Sequence, residues 1–156
     1  MILPKKKKLF LKGGTQLVDK SLILRKLTEL EDYYQQLQEF SSLSLQQYEK
    51  SWKAQRIVER TLQIMLELSV DVANHIISDK NLRTPKSYAD TFSVLEEAKI
   101  LSKQLAQTMQ KMAKFRNIIV HGYDKIDAAI VIDILKNRLN DFLTFKKQII
   151  SFLQKN

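Results

Sequence analysis

The chain has 156 residues, a length typical of one domain, and 44% of them are apolar, which is enough to build a buried core. Three glycines and two prolines are too few turn-formers for a β-sandwich, barrel or propeller, and the lack of cysteine excludes disulfides and thiolate chemistry. The net charge is +9, and five lysines among residues 1–12 supply more than half of it. This balance favours a polyanion partner such as RNA, or else a solubilising tail.

The N-terminal lysines predict a separate segment. Residues 1–18 are expected to be a basic, flexible arm, and residues 19–156 a single helical domain. No apolar run approaches the roughly 18 residues that span a bilayer, and the apolar residues after the lysine run are too few for a signal-peptide core. The sequence therefore predicts a cytoplasmic protein without a membrane segment.

Beyond the arm, apolar residues recur at helical spacing. The first predicted helix covers about 19–40, with Asp19 or Ser21 as its N-cap, and a longer one runs over about 45–79. A break at 81–85 contains a proline, and the next two helices begin near Ser87 and Ser102.

The last of these is expected to end around His121, because Gly122 stands where a left-handed C-terminal cap would go. Residues 126 and 127 open a final helix. No alternating strand pattern is present, so the sequence predicts an all-α bundle of four to five helices.

The two histidines have different settings. His75 lies within the apolar stretch 72–77, which is typical of a packed histidine. His121 lies at a helix C-terminus, where the helix dipole favours the imidazolium, while Arg116 would oppose that charge if it came close. A histidine under these opposing influences can titrate near neutrality, as a catalytic acid or base requires.

Arg116, His121 and Tyr123 form the pattern R-x-x-x-x-H-x-Y. Asn117 lies four residues before His121 on the same helix face, so its amide can orient the imidazole. Arg116 projects about 140° round the helix from His121, so the two reach one phosphate only if the arginine is extended or the site crosses a subunit interface. The alternative is a solvated arginine, a capping histidine and a tyrosine in hydrophobic contact.

This pattern at the end of a helix in a small all-α chain resembles the HEPN superfamily, specifically its HepT-like branch. Residues 59–63 and 71–76 resemble that branch's second helix, 85–92 its central loop and helix, and 112–117 the approach to the motif. The resemblance covers about 20–150.

The resemblance implies the toxin of a toxin–antitoxin pair, an endoribonuclease that uses neither metal nor cofactor and has its site in a homodimer cleft. Arg116 would bind the phosphate, His121 would be catalytic and Asn117 would support them. Tyr123 would receive AMP from an MntA-type minimal nucleotidyltransferase antitoxin. The nearby lysines are either RNA contacts or a solvated helix face: Lys103, Lys111, Lys114 and Lys125. Two alternatives stay open, a helical adaptor for the nucleotidyltransferase and a non-catalytic RNA-binding bundle.

Overall fold

The computed structural model describes residues 18–122 and 126–156, so the predicted basic arm lies outside the described residues except for its last position. The described part contains seven α-helices, one π-helical turn and no strand, which confirms the predicted all-α class. The helices are α1 (Lys20–Gln38), α2 (Leu45–Lys50), α3 (Trp52–Asp79), α4 (Tyr88–Glu97), α5 (Lys103–His121), α6 (Ala128–Asp133) and α7 (Asn140–Lys155), with the π turn at Ile134–Arg138 between the last two.

Side-chain caps fix where the helices begin. Asp19, Ser87 and Ser102 each accept a hydrogen bond from the backbone N–H three residues further on, at 3.0, 3.0 and 3.2 Å. Such a cap satisfies one of the N–H groups that a helix start leaves unpaired and contributes about 1 kcal/mol. The predicted starts of α1, α4 and α5 are therefore confirmed.

The single helix predicted over 45–79 is wrong, because the chain leaves the helical conformation at Ser51 (φ −111°, ψ 94°). The hydroxyl of Ser51 accepts a hydrogen bond from Ala54 N–H at 3.1 Å and so caps α3. Ser44 and Gln47 form a capping box that starts α2 as a separate helix. These local bonds replace the intrahelical bonds lost at the break.

The predicted left-handed cap at Gly122 is also wrong, although α5 does end at His121. Gly122 adopts φ −75° and ψ 117°, which any residue can adopt. What requires glycine is space, because a Cβ at this position would lie 2.4 Å from the carbonyl oxygen of Ile118.

The 28 residues of α3 make it the central helix, and it packs against α1, α2, α4 and α5. Between α4 and α7, Phe92 and Phe145 pack edge to face with ring centroids 6.0 Å apart, and both are fully buried. Because one face of α3 lies against α5, the end of α5 is held over the middle of α3.

Arg83 fastens the loop before α4. Its guanidinium pairs with both carboxylate oxygens of Asp90 at 2.8 and 2.9 Å and with Glu97 at 2.8 Å. These bonds, together with the backbone N–H of Lys86, hold the pKa of Asp90 well below its usual range. These contacts of Arg83 with Asp90 and Glu97 fix the start of α4, where Tyr88 lies.

Within residues 18–122 and 126–156, we find no helix that combines the length and apolar character required to cross a membrane.

Candidate active site

The motif residue Arg116 lies in the last turns of α5 and points toward α3. Its neighbour Phe115 is 6% exposed and anchors this part of α5 in the core. The Arg116 side chain is itself only 13% exposed, an unusual degree of burial for an arginine. A buried guanidinium requires polar partners, and these come from α3.

Glu67 of α3 is the principal partner of Arg116. Its Oε1 accepts hydrogen bonds from Nη2 at 2.6 Å and from Nε at 3.2 Å, and a third from Gln63 Nε2 at 3.1 Å. Partial burial alone raises the pKa of the Glu67 carboxyl, but the hydrogen bonds from Arg116 and Gln63 outweigh it and hold that pKa below its usual range. Glu67 is therefore a carboxylate at neutral pH and fixes the orientation of the guanidinium.

Tyr88 supports the other side of the guanidinium. The Arg116 Cζ lies 4.6 Å from the centroid of the Tyr88 ring, a cation–π contact that contributes about 0.5–2 kcal/mol. A guanidinium has five N–H donors, and within the described residues Glu67 and Asn117 accept three of them. One N–H on each terminal nitrogen is left for a ligand such as a phosphate oxygen.

Arg116 opens into a cleft of about 460 Å³ between α3 and the start of α4. At its far end Asp71 is paired with Lys26 Nζ at 2.7 Å. The lining residues are Ile64, Glu67, Leu68, Val70, Asp71, Asn74, Tyr88 and Arg116. Both carboxylates of the lining are paired with a cation, and the remaining N–H groups of Arg116 are the donors that the cleft offers to an anionic group.

His121 ends α5 and is exposed to solvent. It follows Arg116 by five residues, which corresponds to about 140° round the helix and about 7.5 Å along it. Arg116 lines this cleft, and His121 is not among the residues that line it.

Asn117 was expected to orient the imidazole of His121. The hydrogen bond that the structure gives its amide comes from Arg116 Nη1, which donates to Asn117 Oδ1 at 3.3 Å. The amide therefore helps to fix the guanidinium, and the orienting contact to His121 does not appear among the described residues.

The other residues singled out from the sequence fall into three groups. Tyr123 and Lys125 lie outside the described residues. Lys111 and Lys114 are exposed on α5, as is Lys103 at its start, so all three are open to solvent or to a ligand. His75 is half-buried on α3 beside fully buried neighbours.

In residues 18–122 and 126–156, no three histidine, aspartate or glutamate side chains are grouped so that they could hold a metal ion.

Sequence reasoning missed Glu67 and Tyr88 as parts of the site. Glu67 pairs with a residue 49 positions further along the chain, and Tyr88 contacts the same arginine from a different helix. The only local signal was the four-residue spacing of Gln63 and Glu67, which places them on one helix face.

Known proteins resemble this chain in sequence. The ribonuclease HepT-like family matches residues 30–149. The chain is 32% identical to the mRNA nuclease HepT of Shewanella oneidensis over 64% of this chain and 74% of that protein. It is 31% identical to the tRNA nuclease HepT of Aphanizomenon flos-aquae over 87% of this chain and 92% of that protein.

Solved structures resemble it in fold. A toxin–antitoxin crystal structure with AMP-PNP gives a TM-score of 0.79 at 26% identity, covering 85% of this chain and 99% of that one. The tri-AMPylated Shewanella oneidensis HEPN toxin in complex with its MNT antitoxin gives 0.78 at 27% identity, covering 85% and 98%. By sequence match over most of its length and by fold, the chain belongs to the HepT-like ribonucleases of the HEPN superfamily and is an endoribonuclease.

Proposed function

We propose that the chain is the toxin of a toxin–antitoxin pair and cleaves RNA without a metal, in a cleft shared by two copies of the chain. The observation that carries the proposal is the oriented guanidinium of Arg116 on the same helix as the exposed His121. Glu67 and Asn117 hold it and leave two of its N–H donors over. The HepT-like relatives include two named nucleases, one of mRNA and one of tRNA.

The chemistry uses the nucleophile that RNA carries. The 2′-oxygen attacks the adjacent phosphorus, the bond from phosphorus to the 5′-oxygen breaks, and the products are a 2′,3′-cyclic phosphate and a 5′-hydroxyl. A base takes the proton from the 2′-hydroxyl and an acid gives one to the departing 5′-oxygen. Arg116 stabilises the charge that develops on the non-bridging phosphate oxygens.

A two-fold dimer supplies both proton-transfer groups from one residue type. Each chain carries one exposed histidine at this position, His121, and one copy can act as the base while the other acts as the acid. The separation of about 140° between Arg116 and His121 on α5 favours this arrangement, since a partner's histidine can approach a guanidinium that its own chain's histidine does not face.

The antitoxin is an MNT-type nucleotidyltransferase, the class found with the Shewanella oneidensis HEPN toxin, whose AMPylated form is known. Tyr123 is proposed as the acceptor here. Its phenol oxygen attacks the α-phosphorus of ATP, pyrophosphate leaves, and the phenol proton is lost. The new phosphodiester anion, two residues from His121, would exclude RNA and compete for Arg116.

The test of metal independence is cleavage in excess chelator. Purified full-length chain is expected to degrade RNA at the same rate with and without EDTA, because proton transfer and charge stabilisation come from side chains. The assay measures the initial rate on a labelled single-stranded RNA and the end groups of the products. Cleavage that stops in EDTA and returns with a divalent ion would contradict the proposal.

Tyr123→Phe is expected to keep full ribonuclease activity and to escape the antitoxin. The substitution removes only the phenol oxygen, so no AMP can be attached there. Intact-mass measurement after incubation with ATP and the antitoxin should show added AMP on the wild-type chain and none on the variant. Tyr88→Phe is the matched control, because it removes a phenol oxygen elsewhere and should still be modified. An unmodified wild-type chain would count against the proposal.

A further inference from the structure

One exposed face of α3 carries side chains suited to a nucleic-acid strand. We call this face the α3 track and define it as Trp52, Arg56, Arg60 and Gln63. Their spacings of four, four and three residues place them within about 80° of one another round the helix. The first three are exposed and Gln63 is half-buried, so no other helix of residues 18–122 and 126–156 covers the track.

Trp52 is the most exposed large apolar side chain of the described residues, at 62%, and it is the only tryptophan in the chain. Two cations lie over its ring: Lys53 Nζ is 5.7 Å and Arg56 Cζ is 5.6 Å from the centroid. Both side chains are flexible and exposed, so a base can stack on the indole in place of a cation, and the displaced cation can then pair with a neighbouring phosphate.

The track leads directly to the cleft. Glu67, which holds Arg116, lies four residues after Gln63 and on the same side of α3, about 60° from Trp52. At 1.5 Å per residue, Trp52 and Glu67 are about 22 Å apart along the axis. Stacked bases along one strand are about 3.4 Å apart in a duplex, so this distance spans several nucleotides.

The charge of the track favours an anion. Arg56 and Arg60 lie on it and Lys53 borders it, whereas Glu59 is the acidic residue within the same stretch. Glu59 is half-buried and lies close enough to Arg56 for their charges to interact. Three exposed cations therefore face one partly buried carboxylate.

We propose that the α3 track binds the single-stranded RNA on one side of the scissile phosphate, with Trp52 stacking on a base several nucleotides from Arg116. The proposal rests on the proposed function in one respect, that Arg116 marks the phosphate being cleaved. It adds a subsite in which affinity depends on RNA length and on an unpaired base.

The intrinsic fluorescence of the 156-residue chain tests this, since Trp52 is the sole tryptophan in it. Titration with an eight-nucleotide 2′-O-methyl RNA, whose blocked nucleophile prevents cleavage, should quench Trp52 saturably, whereas a dinucleotide should not. Trp52→Ala is expected to weaken binding of the eight-mer roughly 5- to 150-fold in an anisotropy assay, the loss of one base stack. Trp52→Phe should retain most of the affinity.

Two exposed arginines provide a matched charge control. Arg56→Gln should lower the slope of log affinity against log salt by about 1, as expected for one lost phosphate contact. Arg25→Gln, an equal charge change on α1, should leave the slope unchanged.

Unquenched fluorescence, or equal binding by Trp52→Ala and the wild-type chain, would overturn the proposal. A Trp52→Ala chain that sediments as a monomer where the wild-type is a dimer would also overturn it and assign the track to a subunit interface. Failure of the proposed function would give a different result. A His121→Ala chain would still cleave a dinucleotide, which is too short to reach the track.

Discussion

His121→Ala is expected to reduce RNA cleavage by at least about 10²–10⁴-fold, the contribution of one well-placed proton transfer. In the proposed dimer the loss is at the upper end, because one substitution removes both the base and the acid. His121 is exposed at the end of α5, so its replacement leaves no buried cavity and the helical fold is expected to persist. Single-turnover cleavage, with circular dichroism and sedimentation as folding controls, measures the effect.

His75→Gln is the matched control, because it changes the only other histidine and lies outside the motif. It should cleave RNA at the wild-type rate. A mixed dimer of one wild-type and one His121→Ala chain gives a sharper result. It retains one imidazole, which can serve as the base or as the acid but not as both, so its rate is expected to fall far below half that of the wild-type dimer. Half the wild-type rate in the mixed dimer would mean that each chain works alone.

Arg116→Ala is expected to lower the rate about 10²–10³-fold, the usual effect of removing one donor that stabilises a developing oxyanion. Arg116→Lys should recover little of the lost cleavage rate. An ammonium keeps the charge, but it cannot pair with Glu67 and bind a phosphate through a planar fork at the same time. The measurement is kcat and KM on a short RNA. We expect kcat to fall and KM to rise, because one group both binds the phosphate and stabilises its developing charge.

Glu67→Gln tests separately whether the site needs the orientation that Glu67 gives to the Arg116 guanidinium or the negative charge of the Glu67 carboxylate. The amide oxygen can still accept from Arg116, so binding of RNA should be retained or even strengthened by removal of the negative charge near the phosphate. The Glu67 side chain is 36% exposed, and water can solvate it when Arg116 is absent, so neither Glu67→Gln nor Arg116→Ala is expected to unfold the chain.

An Arg116→Ala chain that folds and cleaves like the wild-type would remove the guanidinium from the mechanism.

Local chemistry explains why the helices were predicted well. Asp19, Ser87 and Ser102 cap helices through hydrogen bonds to residues three positions away, and such contacts are visible in any short window of sequence. The break at Ser51 was missed because the apolar positions continue on both sides of it, and periodicity alone does not show that a serine has left the helical conformation. Gly122 was assigned by its residue type, while its real constraint is the nearby carbonyl of Ile118.

The sequence by itself determined the helical class and the motif of Arg116 and His121, since both depend on contacts or spacings within a few turns of one helix. The seating of the guanidinium against Glu67 and Tyr88 was decided only by tertiary packing. These partners come from α3 and α4, and they meet Arg116 only because α5 lies across both helices in the folded core. Residues so far apart in the chain have no local pattern in common, and only the packed fold brings a carboxylate, an aromatic ring and a cation together.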